Sequence, residues 1–150
     1  MKTIEIRNAT TDHLSELARL FNAYRIFYKK ESDIEAAKFF LKERMIRNES
    51  TIFISLNDDV ITGFIQLYPL FSSTRMKRLW LLNDLFVDEK FRGQGISETL
   101  IDRAKEWCRE SNACGFMLET AKTNAIGNRL YQKMGLELDV EHNVYNWEVE

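Results

Sequence analysis

The chain has 150 residues, of which 45% are hydrophobic, with one proline and a formal net charge of −2. This length and composition suit a compact α/β protein, and we expect residues 1–150 to form a single domain. The near-neutral charge argues against nucleic-acid binding, and no run of roughly 18 or more apolar residues is present to span a membrane.

Two further features of the whole chain bear on its class. Met1-Lys2-Thr3 leads directly into strand-like sequence, so we expect no signal peptide and a cytoplasmic protein. Cys108 and Cys114 are too few for a disulfide framework and lack the paired spacing of a zinc site, so buried or half-buried free thiols are expected. His13 and His142 stand far apart among polar neighbours, so neither predicts a metal site or a catalytic triad.

The first third of the chain predicts one strand and two helices. Residues 3–8 alternate apolar and polar side chains, as a strand does. Apolar residues at helical spacing predict a helix over residues 12–24, with Asp12 well placed for the helix dipole. Ser32-Asp33-Ile34-Glu35 has the pattern of a capping box, and the helix that follows continues to Met45.

Three strands are predicted next. Residues 51–56 and 60–68 form a hairpin that turns at Asn57-Asp58-Asp59. Residues 79–87 are almost continuously apolar, which is typical of a strand inside a sheet.

The last third predicts a helix over residues 96–112, a short strand over 116–120 and a helix from Asn124 to Gly135. Residues 136–140 and 144–149 are predicted to form a closing strand pair.

In the last helix, Ile126, Leu130 and Met134 are expected to face the core. Tyr131 lies one residue away from that stripe, about 100° around the helix, so it need not point inward.

The segment Arg92-Gly93-Gln94-Gly95-Ile96-Ser97 stands between a predicted strand and a predicted helix. Its two glycines allow a tight turn in which successive N–H groups converge on an anion, and the helix start adds further unpaired N–H groups. A dinucleotide loop would need a third glycine at Glu98, and a P-loop would need Gly-Lys-Ser/Thr, so neither motif is present. The pattern therefore predicts a phosphate cradle of another kind.

This segment resembles motif A of the GCN5-related N-acetyltransferases, Arg/Gln-x-x-Gly-x-Gly/Ala, which wraps the pyrophosphate of acetyl-CoA. Arg92 and Gly95 match, whereas Ser97 replaces the small final residue. Residues 124–136 are similar to the family's motif B, Asn-x-x-Ala/Gly-x-x-Leu-Tyr-x-x-x-Gly-Phe, and the distance between the two segments also fits. The chain is therefore identified as a member of this family.

The resemblance implies an α/β (mixed α+β) acyl-CoA N-acyltransferase fold. Its central sheet is mixed and mostly antiparallel, and about four helices flank it. The central strand is implied to separate from its neighbour where the thioester enters, and a homodimer is possible. Residues 66–73 are similar to a subgroup associated with histone and polyamine acetylation, which does not identify the substrate.

The resemblance also implies a site for acetyl-CoA, the expected cofactor. Its residues would be Leu85, Phe86, Val87, Arg92, Gly93, Gln94, Gly95, Ile96, Ser97, Asn124 and Tyr131. The first three would contribute backbone groups to pantetheine and the oxyanion. Tyr131 is the candidate general acid, because a tyrosine phenol holds a proton at neutral pH. The alternatives are a packing role for Tyr131 and a plain helix cap for Asn124.

A general base is the second catalytic requirement, since a protonated amine must lose a proton before it attacks. Asp84 lies within an apolar strand, where burying a carboxylate is costly, and Glu119 ends the next predicted strand. We favour Asp84 because it is nearest the expected thioester. A purely structural carboxylate is the alternative for each.

The acceptor is expected between the segment joining the first two helices and a loop after Tyr68-Pro69. An aromatic wall there would consist of Phe27, Tyr28, Tyr68 and Phe71. Basic residues that could hold a carboxylate on the acceptor are Arg75, Lys77 and Arg78, and Glu119 is a further candidate. Solvated surface charge is the simpler explanation of that basic cluster.

These patterns favour an N-acetyltransferase that acts on a small primary amine, an amino acid or a polyamine, by direct attack in a ternary complex. No metal is expected. The alternatives are acetylation of a protein N-terminus or lysine, and a non-catalytic acyl-CoA sensor. Tyr131 argues against the sensor, because a binding module needs no proton donor.

Overall fold

A computed structural model describes residues 3–150. The prediction that no signal peptide is present rests partly on Met1 and Lys2, which lie outside the described residues. The elements are β1 (Glu5–Asn8), α1 (Leu14–Phe27), α2 (Ile34–Ile46), β2 (Thr51–Asn57), β3 (Val60–Ser72), β4 (Lys77–Val87), α3 (Ile96–Glu110), β5 (Ala113–Met117) and α4 (Ala125–Lys133). Short 3₁₀ turns lie at Thr11–His13 and Glu89–Phe91. The chain divides into two compact units: one ends at Glu119 and contains all five strands, and the other, Thr120–Glu150, contains α4.

The strands of the first unit form one sheet in the order β1-β2-β3-β4-β5. Every neighbouring pair is antiparallel except β4 and β5, which are parallel. The predicted mixed, mostly antiparallel sheet with four helices is therefore confirmed. None of the helices within residues 3–150 is long and apolar enough to cross a membrane.

Each face of the sheet has its own hydrophobic core. On one face, α1 and α2 bury Leu17, Leu20, Phe21, Leu41, Ile54 and Phe64 together. On the other face, α3 packs its apolar stripe against β3 and β4, and the buried residues include Ile65, Leu67, Leu82, Ile96, Leu100 and Ala104. The alternation along β3 follows from the strand period of two, since neighbouring residues point to opposite faces.

A bulge in β4 changes which face its side chains reach. Gln66 pairs with Asp84 and Leu67 pairs with Leu82, so Asn83 is the extra residue on β4. Leu82 points to the α3 face, and after the bulge Leu85 does so instead. A one-residue insertion shifts the pleat by one position, and Asp84 is thereby turned toward α1 and α2.

Within residues 3–150, the last part of β4 has no strand beside it on the β5 side. Pairing between the two strands reaches only Leu81 with Met117, where β5 ends, whereas β4 continues to Val87. This agrees with the separation of strands that the family resemblance implies. β5 also begins and ends earlier than the predicted range 116–120, so Glu119 follows the strand rather than ending it.

The loop predicted after Tyr68-Pro69 is wrong, because β3 continues to Ser72. Pro69 lies opposite Trp80 in the ladder with β4, and β2 no longer accompanies β3 at this point. A proline is tolerated where one side of a strand is unpaired, since it has no N–H to donate there.

The capping box predicted at Ser32 is also wrong, although the helix begins where expected. The Asp33 carboxylate caps α2 by accepting a hydrogen bond from Ala36 N (3.0 Å). The Ser32 hydroxyl instead accepts a hydrogen bond from Asn22 Nδ2 (3.0 Å), and Asn22 Oδ1 accepts one from Asp33 N (2.8 Å). The buried Asn22 side chain therefore ties the start of α2 to α1.

The closing strand pair predicted over residues 136–140 and 144–149 is wrong, because the structure has no strand there. Val140 is 84% exposed, and Tyr145 and Trp147 are comparably exposed. An alternating pattern supplies only an apolar face. A strand also needs a neighbour for its N–H and C=O groups, and this segment pairs with no other strand among the described residues.

Candidate active site

A cavity of about 480 Å³ lies beside the bulge of β4, between the sheet and the first two helices. Its lining residues are Phe21, Tyr24, Arg25, Tyr28, Lys30, Ala36, Ala37, Phe40, Tyr68, Asn83 and Asp84. We call it the aromatic cavity, since five of its residues carry rings.

Asp84 is the acidic group of the aromatic cavity, and it is only 4% exposed. Its Oδ2 accepts a hydrogen bond from Gln66 Nε2 (2.7 Å), and its Oδ1 accepts one from Asn83 Nδ2 (3.1 Å). Burial raises the pKa of Asp84, because desolvation outweighs the hydrogen bonds from Gln66, Tyr24 and Asn83 that stabilise the charged form. The carboxyl can therefore take up a proton more readily than an exposed aspartate.

Gln66 is fully buried and fixes the position of this carboxylate. Its amide oxygen accepts a hydrogen bond from the Ser50 hydroxyl (2.8 Å), which leaves its amide nitrogen to donate to Asp84. A chain of hydrogen bonds thus leads from Ser50 through Gln66 to Asp84.

Two tyrosines flank the carboxylate. Burial and the charge of Asp84 raise the pKa of Tyr68 to about 12, so its phenol stays protonated at neutral pH. The Tyr24 hydroxyl, which hydrogen-bonds to the Asp84 carboxylate, also lies 3.4 Å from the carbonyl oxygen of Asn83. Asp84 is therefore the lining residue best suited to accept a proton.

The predicted aromatic wall is only partly present. Tyr28 and Tyr68 line the aromatic cavity, but Phe27 and Phe71 do not. The Phe27 ring lies 6.2 Å from the Phe86 ring and is mostly exposed. Phe71 is also exposed, with the Arg78 guanidinium 4.6 Å from its ring centre.

The other predicted acceptor residues also lie outside the aromatic cavity. Arg78 lines a different cavity, and Arg75 and Glu119 are exposed. The basic residues that line the aromatic cavity are Arg25 and Lys30.

Sequence reasoning missed three of the rings, Phe21, Tyr24 and Phe40. Helical spacing places Phe21 and Tyr24 in the core stripe of the first helix and by itself assigns them no other role. The sequence did contain a signal for a shared aromatic surface. Phe21, Tyr24 and Tyr28 follow one another at intervals of about one helical turn, which places all three rings on one side of α1.

A second cavity, of about 440 Å³, shares no lining residue with the first. Trp80 and Trp107 line it together with Arg78, Ser50 and Ser111, and we call it the tryptophan cavity. The Trp80 Nε1 donates to the Ser111 hydroxyl (2.9 Å), while the buried Nε1 of Trp107 has no partner among residues 3–150.

The glycine-rich loop adopts the conformation of an anion cradle. Gly93 and Gly95 have left-handed φ values of 76° and 78°, and no atom lies within 4 Å of the position a Cβ would take. Gly95 also precedes the first residue of α3 and offers no capping side chain, so the first-turn N–H groups at Ile96 and Ser97 have no helix carbonyl to bind. This open, donor-rich surface fits a phosphate group.

Arg92 connects the loop to the end of β4. Its Nε donates to the carbonyl oxygen of Val87 (3.1 Å), and its guanidinium lies 5.4 Å from the Phe86 ring centre and 5.8 Å from that of Phe27. The guanidinium charge therefore stays beside the cradle.

Gly63 lets β4 and α3 approach each other closely. A Cβ at this position would lie 2.9 Å from the carbonyl oxygen of Phe86 and 3.2 Å from Cγ2 of Ile96. Both contacts are shorter than van der Waals distance, so only glycine fits without movement of the strand or the helix.

In the second unit, Asn124 caps α4 as predicted. Its Oδ1 accepts a hydrogen bond from Gly127 N (3.1 Å), and its Nδ2 donates to the Thr120 hydroxyl (2.8 Å). The cap fixes both ends of the Asn124 side chain.

The predicted core stripe of α4 is wrong at Ile126, which is 77% exposed. The less exposed side of α4 contains Gly127, Leu130, Tyr131 and Met134, so Tyr131 lies on that side rather than beside it. Gly127 belongs to this less exposed side because the Asn124 side chain packs closely against it.

The described part of the chain contains no group of three or more His, Cys, Asp or Glu side chains that could hold a metal ion. Cys108 is buried and Cys114 is half-buried, and both are free, as predicted. Burial raises the pKa of the Cys108 thiol to about 11, which keeps it protonated.

Comparison with known proteins agrees with this architecture. A family model described as the acetyltransferase (GNAT) family matches residues 14–136. A Bacillus subtilis (strain 168) protein, the uncharacterized N-acetyltransferase YhfO, is 40% identical over 136 residues, which are 91% of each chain. A probable acetyltransferase of Haemophilus influenzae is 33% identical over 111 residues, 73% of this chain and 76% of its own. A probable acetyltransferase with a known crystal structure has 38% sequence identity to this chain. The two structures match with a TM-score of 0.93 over 97% of this chain and 98% of that chain.

Proposed function

The chain belongs to the acetyltransferase (GNAT) family, and we propose that it acetylates the primary amine of a small molecule, such as an amino acid or a polyamine. It is an acetyltransferase, and acetyl-CoA is its cofactor. We further propose that residues 1–150 work as one catalytic domain, because the family model spans residues of both units.

One observation carries the proposal for the acceptor: a buried carboxylate with a raised pKa lies in a ring-lined cavity. Asp84 occupies this position next to the part of β4 that has no β5 partner. A cavity of about 480 Å³ has the size of a small-molecule site.

We assign the cofactor to the glycine-rich loop and the unpaired edge of β4. The N–H groups of residues 93–97 would hold the pyrophosphate, with Arg92 adding positive charge. Backbone groups of Leu85, Phe86 and Val87 would bind the pantetheine arm. The left-handed glycines and the free strand edge support this assignment.

Acetyl-CoA supplies an acetyl group activated as a thioester. In the proposed reaction a C–N bond forms, the C–S bond breaks, and two protons must be handled. Asp84 takes the proton that the substrate ammonium loses, directly or through water. Tyr131 gives a proton to the departing sulfur and regains one from the nitrogen after its attack, and Asn124 orients the start of α4.

The cradle assignment is tested with two glycine variants that carry the same backbone strain. Gly95 and Gly135 have φ values of 78° and 82°, and neither has an atom within 4 Å of the position that a Cβ would take. Gly95→Val should abolish the rise in Tm that CoA produces, because the side chain blocks the phosphate surface. Gly135→Val should keep that rise. An undiminished CoA shift in folded Gly95→Val protein would reject the assignment.

The acid assignment is tested by Tyr131→Phe, which removes one hydroxyl and keeps the ring. With a saturating amine, kcat should fall about 10²-fold or more while the CoA-induced change in Tm stays the same. Wild-type turnover by this variant would leave Tyr131 a packing role only.

A further inference from the structure

The walls of the aromatic cavity are rings held in fixed positions. Phe21 of α1 and Phe40 of α2 stack with centres 5.9 Å apart and planes only 5° from parallel. Tyr24 contacts the Tyr28 ring edge to face, with centres 5.0 Å apart. Such contacts between rings are favourable beyond simple burial, so the cavity has a preformed apolar surface.

The charges of this cavity are unevenly distributed. Its one acid, Asp84, is 4% exposed and lies deep against the sheet. Its two cations lie further out: Arg25 is half-buried, with Nη1 donating to the carbonyl oxygen of Glu31 (3.1 Å), and Lys30 is exposed. A bound molecule therefore meets negative charge at the inner end and positive charge at the outer end.

This distribution discriminates between kinds of amine. A single ammonium group can pair with Asp84, and rings nearby favour a cation and an apolar carbon skeleton alike. A second ammonium on the same molecule would lie near Arg25 and Lys30, and like charges repel. Two small residues at the start of α2, Ala36 and Ala37, leave space for a ring-sized group.

We propose that the acceptor is a monoamine whose primary amine is carried on an apolar body of about the size of an aromatic ring, and that polyamines are poor substrates. The proposal rests on the function proposed above and narrows its substrate class. The separation of the inner carboxylate from the outer cations supports it, together with the five rings that line the cavity.

The first test compares two amines of similar length, 2-phenylethylamine and 1,5-diaminopentane. Release of CoA is measured at saturating acetyl-CoA, and kcat/KM should be at least about 10-fold higher for the arylamine, which corresponds to one additional ring contact. Titration calorimetry with both amines, in the presence of CoA, should give the same order of affinity. Equal or higher kcat/KM for the diamine would overturn the proposal.

Two adjacent phenylalanines of α2 provide a matched control. Phe40 lines the cavity, whereas Phe39 is 66% exposed and does not. Phe40→Ala should lower kcat/KM for 2-phenylethylamine about 10-fold, with a smaller effect on 1,5-diaminopentane. Phe39→Ala should leave both values unchanged. Equal losses in the two variants would remove the cavity from substrate recognition.

Two lysines provide a control pair for the outer positive charge. Lys30→Gln removes a cation that lines the cavity, and Lys42→Gln removes an exposed cation of α2 that does not. Lys30→Gln should raise kcat/KM for the diamine about threefold relative to that for the monoamine. An equal response to Lys42→Gln would overturn the role of the outer charge.

The outcomes separate this proposal from the one on which it rests. Preferential turnover of the diamine would overturn the monoamine class and leave small-molecule acetylation standing. No CoA release with any amine, in protein that acetyl-CoA still stabilises, would overturn both.

Discussion

The two cavities of the first unit are similar in volume, about 480 and 440 Å³, and both are lined by aromatic side chains. They differ in the polar group that each one buries. The aromatic cavity buries a carboxylate, Asp84, which has a raised pKa and defined hydrogen-bond donors. The tryptophan cavity buries the indole N–H of Trp107, which does not titrate and has no partner among the described residues.

Their positions along β4 differ as well. Trp80 lies where β4 is paired with β5, whereas Asp84 lies after that pairing ends. The comparison shows that size and aromatic content do not identify a reaction site. The proposed reaction site is distinguished instead by a titratable group beside an unpaired backbone edge, because such a group can exchange a proton with a molecule that the edge would help to hold. Three changes test this difference between the cavities.

The largest effect is expected from Asp84→Asn. If Asp84 is the base, kcat/KM should fall about 10²-fold or more, because asparagine cannot accept the proton. CoA release with a good amine acceptor measures this. Nearly unchanged activity would return Asp84 to a structural role and remove the difference between the cavities.

Thermal unfolding of the same variant serves as the control. The pKa of Asp84 is higher in the folded protein than its ordinary value of 3.8, so the folded state binds this proton more tightly than the unfolded chain does. Its contribution to stability is therefore greatest at low pH and is lost as pH rises through the raised pKa. The Asp84→Asn variant should not lose this stability as pH rises, so its Tm at pH 8 should equal or exceed that of the wild type.

An intermediate effect is expected from Gln66→Met, which keeps the side-chain volume and removes the hydrogen bond to Asp84. That bond lowers the pKa of the carboxyl, so its loss should raise the pKa further. The acidic limb of the kcat/KM profile should move to higher pH, with little change at the plateau.

Ser50→Ala provides the comparison, since it leaves the bond between Gln66 and Asp84 in place. Its limb should move less than that of Gln66→Met. A lower plateau with an unmoved limb in Gln66→Met would mean that Gln66 supports the fold and does not position the base.

The smallest effect on activity is expected in the tryptophan cavity. Ser111→Ala removes the acceptor of the Trp80 indole and should lower the free energy of unfolding by about 1 kcal/mol, as measured by denaturant titration. Its kcat/KM should stay within about twofold of the wild type. A loss of activity comparable to that of Gln66→Met would show that the two cavities are not functionally distinct.

Much of the architecture was predictable because it is encoded locally. The turn at Asp58-Asp59, the start of α2 and the Asn124 cap each depend on a few neighbouring residues. The glycines of the cradle were recognisable for the same reason, since left-handed φ values restrict the choice of residue.

The remaining features depend on distant parts of the chain. The bulge at Asn83 exists only relative to the pairing of β4 with β3, so the sequence placed Asp84 in a strand without showing which face it reaches. The aromatic cavity combines rings from α1, α2 and β3. The strand-like alternation after residue 135 failed because a strand also requires a partner, which a local pattern cannot specify.

The missing side chain at Gly63 has a consequence for how this site tolerates change. The space that a Cβ at position 63 would fill lies between the Phe86 carbonyl, which faces β3 from the strand assigned to pantetheine, and Ile96, a residue of the proposed cradle. Any larger residue at position 63 must displace one of them or both, and the two halves of the proposed cofactor site would move apart together. The spacing of this site is therefore set by Gly63 on the neighbouring strand β3, a residue that needs no contact with the ligand.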